Sequence, residues 1–398
     1  MNINKDSASS QRSIAIMGIR GLPARHGGFE TFAEQLAPYL SESGWSVTVY
    51  CQEEGHGPIR ESMWKGIRRV HILVGSDTAV GTIKFDWACI SHALRDKPAI
   101  VLTLGYNTAI FGIRLRLAGI PNVVNMDGIE WSRQKWSVPA RAWLYANDWA
   151  GCLVATHLIA DHPEIARHLS SRVARRKIAT IPYGALIAQD ADPAALSELD
   201  LEPGTFATVI ARPEPENSIL EIVEAFSSRP RGVKLVVLGK FEQSVPYHAR
   251  VRACASEEVI FPGAIYESRI VRALRRFSIF YVHGHRVGGT NPSLLEAMGA
   301  GNAVLAHDNP FNRWVAGDGA IYFNESRHCA AAMEQLLADA SKVGRLGQAS
   351  LRRARETFAW RDVLGAYALL LSDVYVWAHG RPSWPSVASA IDLTTTNE

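Results

Sequence analysis

Residues 283–302 read HGHRVGGTNPSLLEAMGAGN, and this stretch decides the fold class. It follows an apolar run at 278–282 (SIFYV) and precedes another at 303–306 (AVLA), a pattern typical of a strand, a glycine loop, a short helix and a strand. In an α/β protein this unit places backbone N–H groups and a helix dipole where an anion binds. The stretch predicts that the loop holds the phosphates of a sugar nucleotide and that Glu296 holds the ribose.

The composition is that of a globular protein. Of 398 residues, 47% are hydrophobic, and 42 basic against 39 acidic residues leave a formal net charge of +3. The length favours two domains. The charge is too small to indicate nucleic acid as a partner, but it fits an anionic ligand or an anionic membrane surface.

The cysteines and the apolar segments indicate the compartment. Five scattered cysteines with no CxxC pair argue against a disulfide framework or a zinc site and favour the reducing cytoplasm. The N-terminus lacks an apolar signal core, and no run of about 18 apolar residues occurs. We therefore expect a soluble or peripheral protein.

Apolar runs alternate with amphipathic stretches along the chain, which predicts parallel sheets covered by helices on both faces. The predicted strands of the first half lie at 14–17, 46–50, 70–74, 100–104, 122–124, 157–160 and 178–181. Those of the second half lie at 207–210, 234–238, 259–261, 278–282, 303–306 and 320–322. A polar segment at 183–204, punctuated by Gly and Pro, separates the two halves.

The predicted architecture is α/β, with two Rossmann-like doubly wound domains facing a central cleft. We expect an N-terminal, acceptor-side domain at 1–185 and a C-terminal, nucleotide-sugar-binding domain at 205–356. A C-terminal helix at 357–380 is expected to pack back on the N-terminal domain. Ligands of such sheets bind at the carboxyl ends of the strands.

The loop after the first strand, residues 18–31 (GIRGLPARHGGFET), carries four glycines. Three cations accompany them: Arg20, Arg25 and His26. The spacing is not GxGxxG, so a merely tight βα turn is one interpretation. The cations favour an anion or sugar site instead, with Gly27 and Gly28 just ahead of the helix N-terminus.

A second candidate stretch, residues 125–136 (NMDGIEWSRQKW), follows a predicted strand. Asp127 and Glu130 would lie at the end of the sheet beside aromatic side chains. Carboxylates accept hydrogen bonds from sugar hydroxyls, and aromatic rings stack on the C–H faces of sugars. An Asp that caps a helix is the alternative. We favour a functional role for Asp127 and core packing for Trp136.

Two cations follow strands of the second half. Arg212 comes directly after the strand at 207–210, and guanidinium suits bidentate contact with phosphate. Lys240 follows the strand at 234–238 and is a weaker candidate for the same role. A solvated surface side chain is the alternative for both.

Within the opening stretch, Gly288, Gly289 and Thr290 are predicted to hold phosphate, and Asn291 to begin the helix that carries Glu296. Its two histidines alternate along the chain, so only one can face the ligand, and we expect at least one to be buried with its hydrogen bonds satisfied. No third ligand stands at suitable spacing, so no metal site is predicted.

Two basic stretches are left over, at 172–177 (RVARRK) and 269–276 (RIVRALRR). Each predicts a solvated helical face, and contact with anionic lipid is the alternative.

These motifs resemble the retaining GT-B glycosyltransferases of family 4. The resemblance runs from IAIMGIRGLPARHGGFETF, which starts at Ile14, to FAWRDVLGAYALL, which ends at Leu370. GIRGLPARHGGFET, DGIEW and HGHRVGGTNPSLLEA are similar to one subgroup in particular. That subgroup includes bacterial β-1,4-rhamnosyltransferases, which use dTDP-L-rhamnose to build polysaccharides on a lipid carrier.

The resemblance implies roles for individual residues. In relatives, two glutamates separated by seven residues lie near the donor. The second corresponds to Glu296, which would grip the ribose, and the first to Gly288, so one carboxylate is missing; a deoxy sugar would tolerate that loss. The Arg–Lys pair that binds diphosphate in relatives corresponds to Arg212 and Asn217. A histidine of the N-terminal domain corresponds to Asp127.

The resulting hypothesis is a retaining, metal-independent hexosyltransferase with no cofactor beyond its nucleotide-sugar substrate. Asp127 and Arg212 are the candidate catalytic residues. The expected acceptor is a polyprenyl-diphosphate-linked saccharide of bacterial surface polysaccharide synthesis, met at the cytoplasmic face of the inner membrane. The alternatives are a transferase for another hexose from a UDP- or GDP-sugar, a sugar-nucleotide epimerase or hydrolase of this fold, and a non-catalytic assembly subunit.

Overall fold

The structure, a computed structural model, describes residues 12–24, 27–75, 78–133, 135–188 and 190–380. These residues form two compact units. The first contains residues up to 182 and from 361 onward, and the second contains residues 183–360.

The first unit is built on an eight-stranded sheet. Its strands are β1 (Ser13–Met17), β2 (Ser46–Glu54), β3 (Arg60–Trp64), β4 (Ile67–Val74), β5 (Ile100–Leu104), β6 (Asn122–Asn125), β7 (His157–Ala160) and β8 (Ile178–Thr180). Their order is β3-β4-β2-β1-β5-β6-β7-β8, and all pairs are parallel except β3 with β4. The predicted parallel strands are confirmed. The edge strand β3 was not predicted, because its sequence RESMW is largely polar and its side chains are mostly exposed.

Helices of the first unit follow from the amphipathic stretches. They are α1 (Gly28–Glu42), α2 (Ala79–Asp96), α3 (Ile113–Leu117), α4 (Val138–Val154) and α5 (Pro163–Ser170). In α1, Phe32, Leu36 and Leu40 recur at helical spacing and are buried. A 3-10 helix, Ala109–Gly112, precedes the short α3.

The prediction that 172–177 is a solvated face was wrong at Arg172 and Lys177, whereas residues 174–176 are exposed. The Arg172 side chain is only 6% exposed, and its Nη2 lies 2.7 Å from Oδ2 of the buried Asp148. Lys177 donates to the Cys152 carbonyl at 2.6 Å, and burial lowers the pKa of its ammonium. These cations hold α4 and the segment before β8 together, because buried charges require a partner.

The second unit has a six-stranded, all-parallel sheet. Its strands are β9 (Phe206–Ile210), β10 (Lys234–Leu238), β11 (Val259–Gly263), β12 (Phe280–His283), β13 (Ala303–His307) and β14 (Ala320–Phe323). The order β11-β10-β9-β12-β13-β14 is the doubly wound order, in which the chain direction across the sheet reverses between β9 and β12. The first unit reverses in the same way between β1 and β5. The predicted fold class is confirmed.

Helices cover both faces of the second sheet. They are α6 (Ile219–Ser227), α7 (Pro246–Ala253), α8 (Ser268–Phe277), α9 (Pro292–Gly299), α10 (Pro310–Ala316), α11 (Ser326–Ala338) and α12 (Ala340–Thr357). The segment after residue 183 belongs to this unit: Ala195 and Leu196 are buried against Ile270 and Leu274 of α8.

The last described helix is α13 (Trp360–His379), whose residues from 361 onward belong to the first unit. Its Tyr367 is buried with its ring 4.6 Å from that of Phe32, and its hydroxyl accepts a hydrogen bond from Asn125 at 2.8 Å. None of the helices in the described residues has the length and apolarity needed to cross a bilayer.

Candidate active site

The second unit has its topological switch point between β9 and β12, and ligands of doubly wound sheets bind beside the loops that follow such strands. These loops touch: a Cβ added to Gly284 would lie 2.1 Å from the Asn217 carbonyl oxygen. The loop after β10 approaches as closely, because a Cβ on Gly239 would lie 2.6 Å from the Ala211 carbonyl oxygen. Glycine is therefore required at both positions to pack the three loops together.

Arg212 stands at this edge with a largely free side chain. It is 70% exposed, and its nearest acidic partner is Glu214 at 3.9 Å. The Asn217 amide donates to the Arg212 carbonyl at 2.8 Å, so Asn217 closes the loop instead of supplying a second cation. Lys240 is also exposed and lies 2.8 Å from Glu242, whose hydrogen bond raises the pKa of the Lys240 ammonium. Arg212 is the better placed of the two cations for phosphate.

The glycine loop ends at a capped helix. Asn291 is the N-cap of α9 and its side chain accepts from the Ser293 N–H at 2.9 Å, while Pro292 occupies the first turn. Thr290 is buried ahead of this cap. Gly288 has a φ of +144°, which L-residues rarely adopt, and a Cβ there would meet nothing within 4 Å. The predicted cap is confirmed.

Glu296 faces a buried arginine that the sequence interpretation missed. Its Oε2 lies 2.6 Å from Nη2 of Arg275, whose side chain is only 11% exposed. Ser293, one turn before Glu296, lies 2.6 Å from the Tyr281 hydroxyl and 3.4 Å from the Arg275 guanidinium. The prediction that 269–276 is a solvated face is therefore wrong at Arg275. Arg275 orients the carboxylate, and Oε1 of Glu296 has no hydrogen bond to any residue that the structure describes.

Arg286 is held against helix α6 by its side chain. Its Nε donates to the Ser218 hydroxyl at 2.8 Å and its Nη2 to Glu221 Oε1 at 2.5 Å. Its backbone N–H donates to the Glu216 carbonyl at 2.9 Å. These bonds fix the first half of the glycine loop.

The two histidines of the loop stack on each other, with ring centroids 4.3 Å apart. His283 is buried as expected, but the prediction of satisfied hydrogen bonds was wrong for it: neither ring nitrogen has a hydrogen-bond partner among the described residues. Burial, aided by His285 and His307, holds the pKa of His283 well below its ordinary value, so the ring is neutral. Among the described residues, no group of three or more His, Cys, Asp or Glu side chains could hold a metal ion.

In the first unit, the glycine loop after β1 packs tightly on its neighbours. Gly18 has a φ of +86°, and a Cβ there would lie 2.2 Å from the Leu104 carbonyl oxygen. The Arg20 N–H donates to Glu30 Oε1 at 3.1 Å. Gly27 is the N-cap of α1, which begins at Gly28. The two other cations proposed for this loop, at 25 and 26, lie outside the described residues.

A pocket of about 190 Å³ opens where the chain reverses between β1 and β5. Its polar lining includes Arg20, Glu30, Asp86, Asn107 and Thr108. Asp86 accepts from the Thr108 hydroxyl at 2.7 Å, and burial raises the pKa of Asp86 to about 6. Asp86 was not predicted from the sequence, because a single carboxylate within a largely apolar helix does not indicate a binding site.

Asp127 follows β6 in a left-handed backbone conformation, with a φ of +50°. Its N–H donates to the Asn125 side chain at 2.9 Å. Burial, followed by the nearby charge of Glu130, raises the pKa of Asp127 to about 6. A carboxyl group with such a pKa is still largely ionised at neutral pH and is poised to bind a hydroxyl.

Glu130 already has its hydrogen bonds from neighbours. Its carboxylate contacts Arg133, accepts from the Trp136 indole at 3.2 Å and lies 3.8 Å from Lys135. Its N–H donates to the Tyr106 hydroxyl at 2.8 Å. Trp136 is 38% exposed, so the prediction of core packing for Trp136 was wrong. Glu130 thus shapes the electrostatics around Asp127.

Comparison with known proteins identifies the class of protein. Residues 198–353 match the family described as "Glycosyl transferases group 1", and residues 11–186 match "Domain of unknown function (DUF1972)". No curated protein matches the sequence. With this domain on a GT-B fold, the chain is a glycosyltransferase.

Solved structures share the fold at low sequence identity. A sucrose-phosphate synthase from Thermosynechococcus elongatus is 17% identical, with a TM-score of 0.77. The match covers 92% of this chain and 99% of the synthase chain. An α,α-trehalose-phosphate synthase (UDP-forming) from Burkholderia xenovorans, in complex with glucose-6-phosphate, is 12% identical with a TM-score of 0.70, covering 91% and 100%. An E. coli structure bound with UDP-2-fluoro glucose is 11% identical with a TM-score of 0.69, covering 92% and 99%.

Proposed function

We propose that this glycosyltransferase retains anomeric configuration and moves L-rhamnose from dTDP-L-rhamnose onto a lipid-linked saccharide during bacterial surface polysaccharide synthesis. The observation that carries the proposal is the arrangement of Glu296 beside the switch point between β9 and β12. There Glu296 has one oxygen anchored by Arg275 and the other open, next to the capped N-terminus of α9. A carboxylate held in this way accepts hydrogen bonds from the two ribose hydroxyls.

The diphosphate is the group whose charge grows as the sugar leaves. Arg212 supplies an exposed guanidinium at the end of β9, and residues 288–290 bring backbone N–H groups to the start of α9. Cations and helix N–H groups aimed at a leaving phosphate stabilise the transition state more than the ground state. The departing phosphate then takes the proton of the acceptor hydroxyl, so that no separate base is required.

The deoxy sugar is supported by Gly288, where relatives in the resembling family carry a carboxylate near the donor. Open space lies beyond this glycine, so no side chain there would hydrogen-bond a sugar hydroxyl. A donor that lacks one hydroxyl does not need that carboxylate, whereas a fully hydroxylated hexose would exchange a hydrogen bond to the protein for one to water.

We also propose that the acceptor binds the first unit. The pocket lined by Asp86 and Glu30 offers carboxylates suited to sugar hydroxyls, and Asp127, ionised at neutral pH, would orient the reacting hydroxyl. We propose a polyprenyl-diphosphate-linked saccharide as the acceptor, met at the cytoplasmic face of the inner membrane.

A panel of nucleotide sugars, incubated with purified protein and a synthetic polyprenyl-diphosphate saccharide, tests the proposal. We expect rhamnose transfer from dTDP-L-rhamnose with retention and with full turnover in excess chelator. Exclusive use of a UDP- or GDP-hexose would overturn the donor assignment, and a strict manganese requirement would overturn metal independence. Turnover of the donor without acceptor would indicate an epimerase or hydrolase instead.

A further inference from the structure

The first unit presents two adjacent stripes of exposed apolar side chains. Along α4 they are Val138, Tyr145, Trp149 and Leu153, which recur at helical spacing and are 78%, 45%, 39% and 62% exposed. Along the 3-10 helix and α3 they are Ile110, Ile113 and Leu117, which are 45%, 42% and 81% exposed. We name these two stripes together the α3–α4 face. Each stripe lies on the side of its helix that the unit does not bury.

Three hydrogen bonds join the stripes into one surface. The Trp143 indole donates to the Asn107 carbonyl at 2.8 Å, and the Ile110 N–H donates to the Asn147 side chain at 3.0 Å. At the far end, the Arg116 guanidinium donates to the Leu153 carbonyl at 3.1 Å. The apolar side chains are therefore held side by side on connected elements.

This concentration of exposed apolar side chains indicates an interaction surface. Most of the large apolar side chains that are exposed in the described residues lie between residues 80 and 153. Contiguous patches of this kind are rare on monomeric soluble proteins and mark interaction surfaces. Trp143, Trp149 and Tyr145 add the amphipathic rings that are enriched at the headgroup level of membranes.

The exposed charges on the face's own elements, α3 and α4, are basic. Arg116 and Arg141 are exposed at its edges, and the Arg114 guanidinium lies 4.2 Å from the ring centroid of Trp87 on the neighbouring helix α2. Within residues 107–155 the only carboxylates belong to Asp127, Glu130 and Asp148. Asp148 is buried against Arg172, and Glu130 is bound by Arg133.

We propose that the α3–α4 face docks on an anionic lipid bilayer, with its apolar stripes in the interface and its arginines at the headgroups. Helix α4 would lie parallel to the surface over about 22 Å, given a rise of about 1.5 Å per residue. Charge favours lipid over a second copy, because a two-fold dimer through this face would bring two sets of arginines together without exposed carboxylates of α3 or α4 to offset them. The inference adds a membrane surface to the proposed function, and its test needs neither donor nor acceptor.

Vesicle sedimentation tests the inference. Full-length protein is mixed with vesicles of phosphatidylcholine alone or with phosphatidylglycerol added, at low and high salt. We expect binding to the anionic vesicles that weakens with salt. The double variant Leu117→Gln/Leu153→Gln removes one exposed aliphatic side chain from α3 and one from the C-terminal half of α4. It should weaken partitioning onto anionic vesicles roughly tenfold or more. The matched control is Met63→Gln on β3, a side chain that is 65% exposed outside this face.

The outcomes separate this inference from the proposed function. Wild-type protein that stays in the supernatant with anionic vesicles, or a double variant that binds them like wild type, overturns the docking face. A wild-type dimer that the double variant abolishes in analytical ultracentrifugation would assign the face to a second copy instead. An unchanged melting temperature and dTDP affinity in the double variant show that its fold is intact. Vesicle binding without rhamnose transfer would leave the face standing while the proposed reaction fails.

Discussion

Removing the carboxylate of Glu296 should weaken nucleotide binding by about two orders of magnitude. The proposed contact is a pair of hydrogen bonds from the ribose hydroxyls to an ionised carboxylate, and hydrogen bonds to charged groups contribute about 1.5–3 kcal/mol each. Taking about 3 kcal/mol for the pair, and about 1.4 kcal/mol per factor of ten, Glu296→Ala should raise the Kd for dTDP roughly 100-fold.

The same substitution should also destabilise the fold, and the two effects must be separated. Arg275 is buried, and without Glu296 its described partner is the Ser293 hydroxyl at 3.4 Å. Breaking a buried ion pair from one side costs about 3–5 kcal/mol, and the partial exposure of Glu296 reduces this to about 1–3 kcal/mol. The double variant Glu296→Ala/Arg275→Met removes both charges and should recover most of the lost stability.

Calorimetric titration with dTDP and urea unfolding measure the two quantities on the same proteins. Glu334→Ala is the matched control, because Glu334 pairs with Arg231, a side chain that is 1% exposed, outside the candidate site. It should lower stability and leave the Kd unchanged. An unchanged Kd in Glu296→Ala would refute the ribose role. A double variant that regained affinity together with stability would show that Glu296 acts only by holding Arg275.

Three further predictions concern the charged groups of the proposed reaction. Asp127→Asn should lower kcat about 10²–10³-fold without a change in melting temperature, since Asn tolerates the left-handed backbone; near-normal turnover would contradict the role of Asp127. Arg212→Ala should lower kcat by a similar factor, whereas Lys240→Ala should lower kcat less than about tenfold. Equal decreases in kcat in steady-state assays would argue against Arg212 as the main phosphate contact. The kcat/KM of wild type should fall below pH about 6 as Asp127 becomes protonated. Burial is the main cause of the raised pKa of Asp127, and Glu130→Gln removes the charge that adds to it, so the acidic limb should move to lower pH in that variant. A limb that stays in place would assign the titration to another group, with Asp86→Asn as the variant to examine next.

The sheets could be predicted because their strands are buried on both faces. Such strands are short, continuous apolar runs, and the runs at 100–104, 157–160 and 234–238 coincide with β5, β7 and β10. Strand β3 has no such signal, since an edge strand exposed to solvent can be polar. Helix α10 was also missed, although Asn309 followed by Pro310 is an N-cap signal for its start.

The candidate site was less predictable, because its geometry depends on contacts between distant segments. Arg275 lies in a run of arginines that is typical of a surface helix, and only the folded chain brings it to Glu296. Arg172 was misassigned for the same reason, since its partner Asp148 lies on another helix. The roles given to Asp127, Arg212 and Glu296 stay predictions.

The backbone at Gly288 limits how donor selectivity can change by mutation. Space for a larger side chain is present, but a φ of +144° imposes a conformational cost of about 1–3 kcal/mol on residues other than glycine. Gaining a carboxylate at this position would therefore require the loop to be rebuilt, and Arg286 already anchors the loop to α6. A single codon change at 288 is thus a poor route to a new donor, and laboratory evolution toward a fully hydroxylated sugar should instead select paired changes in residues 284–290.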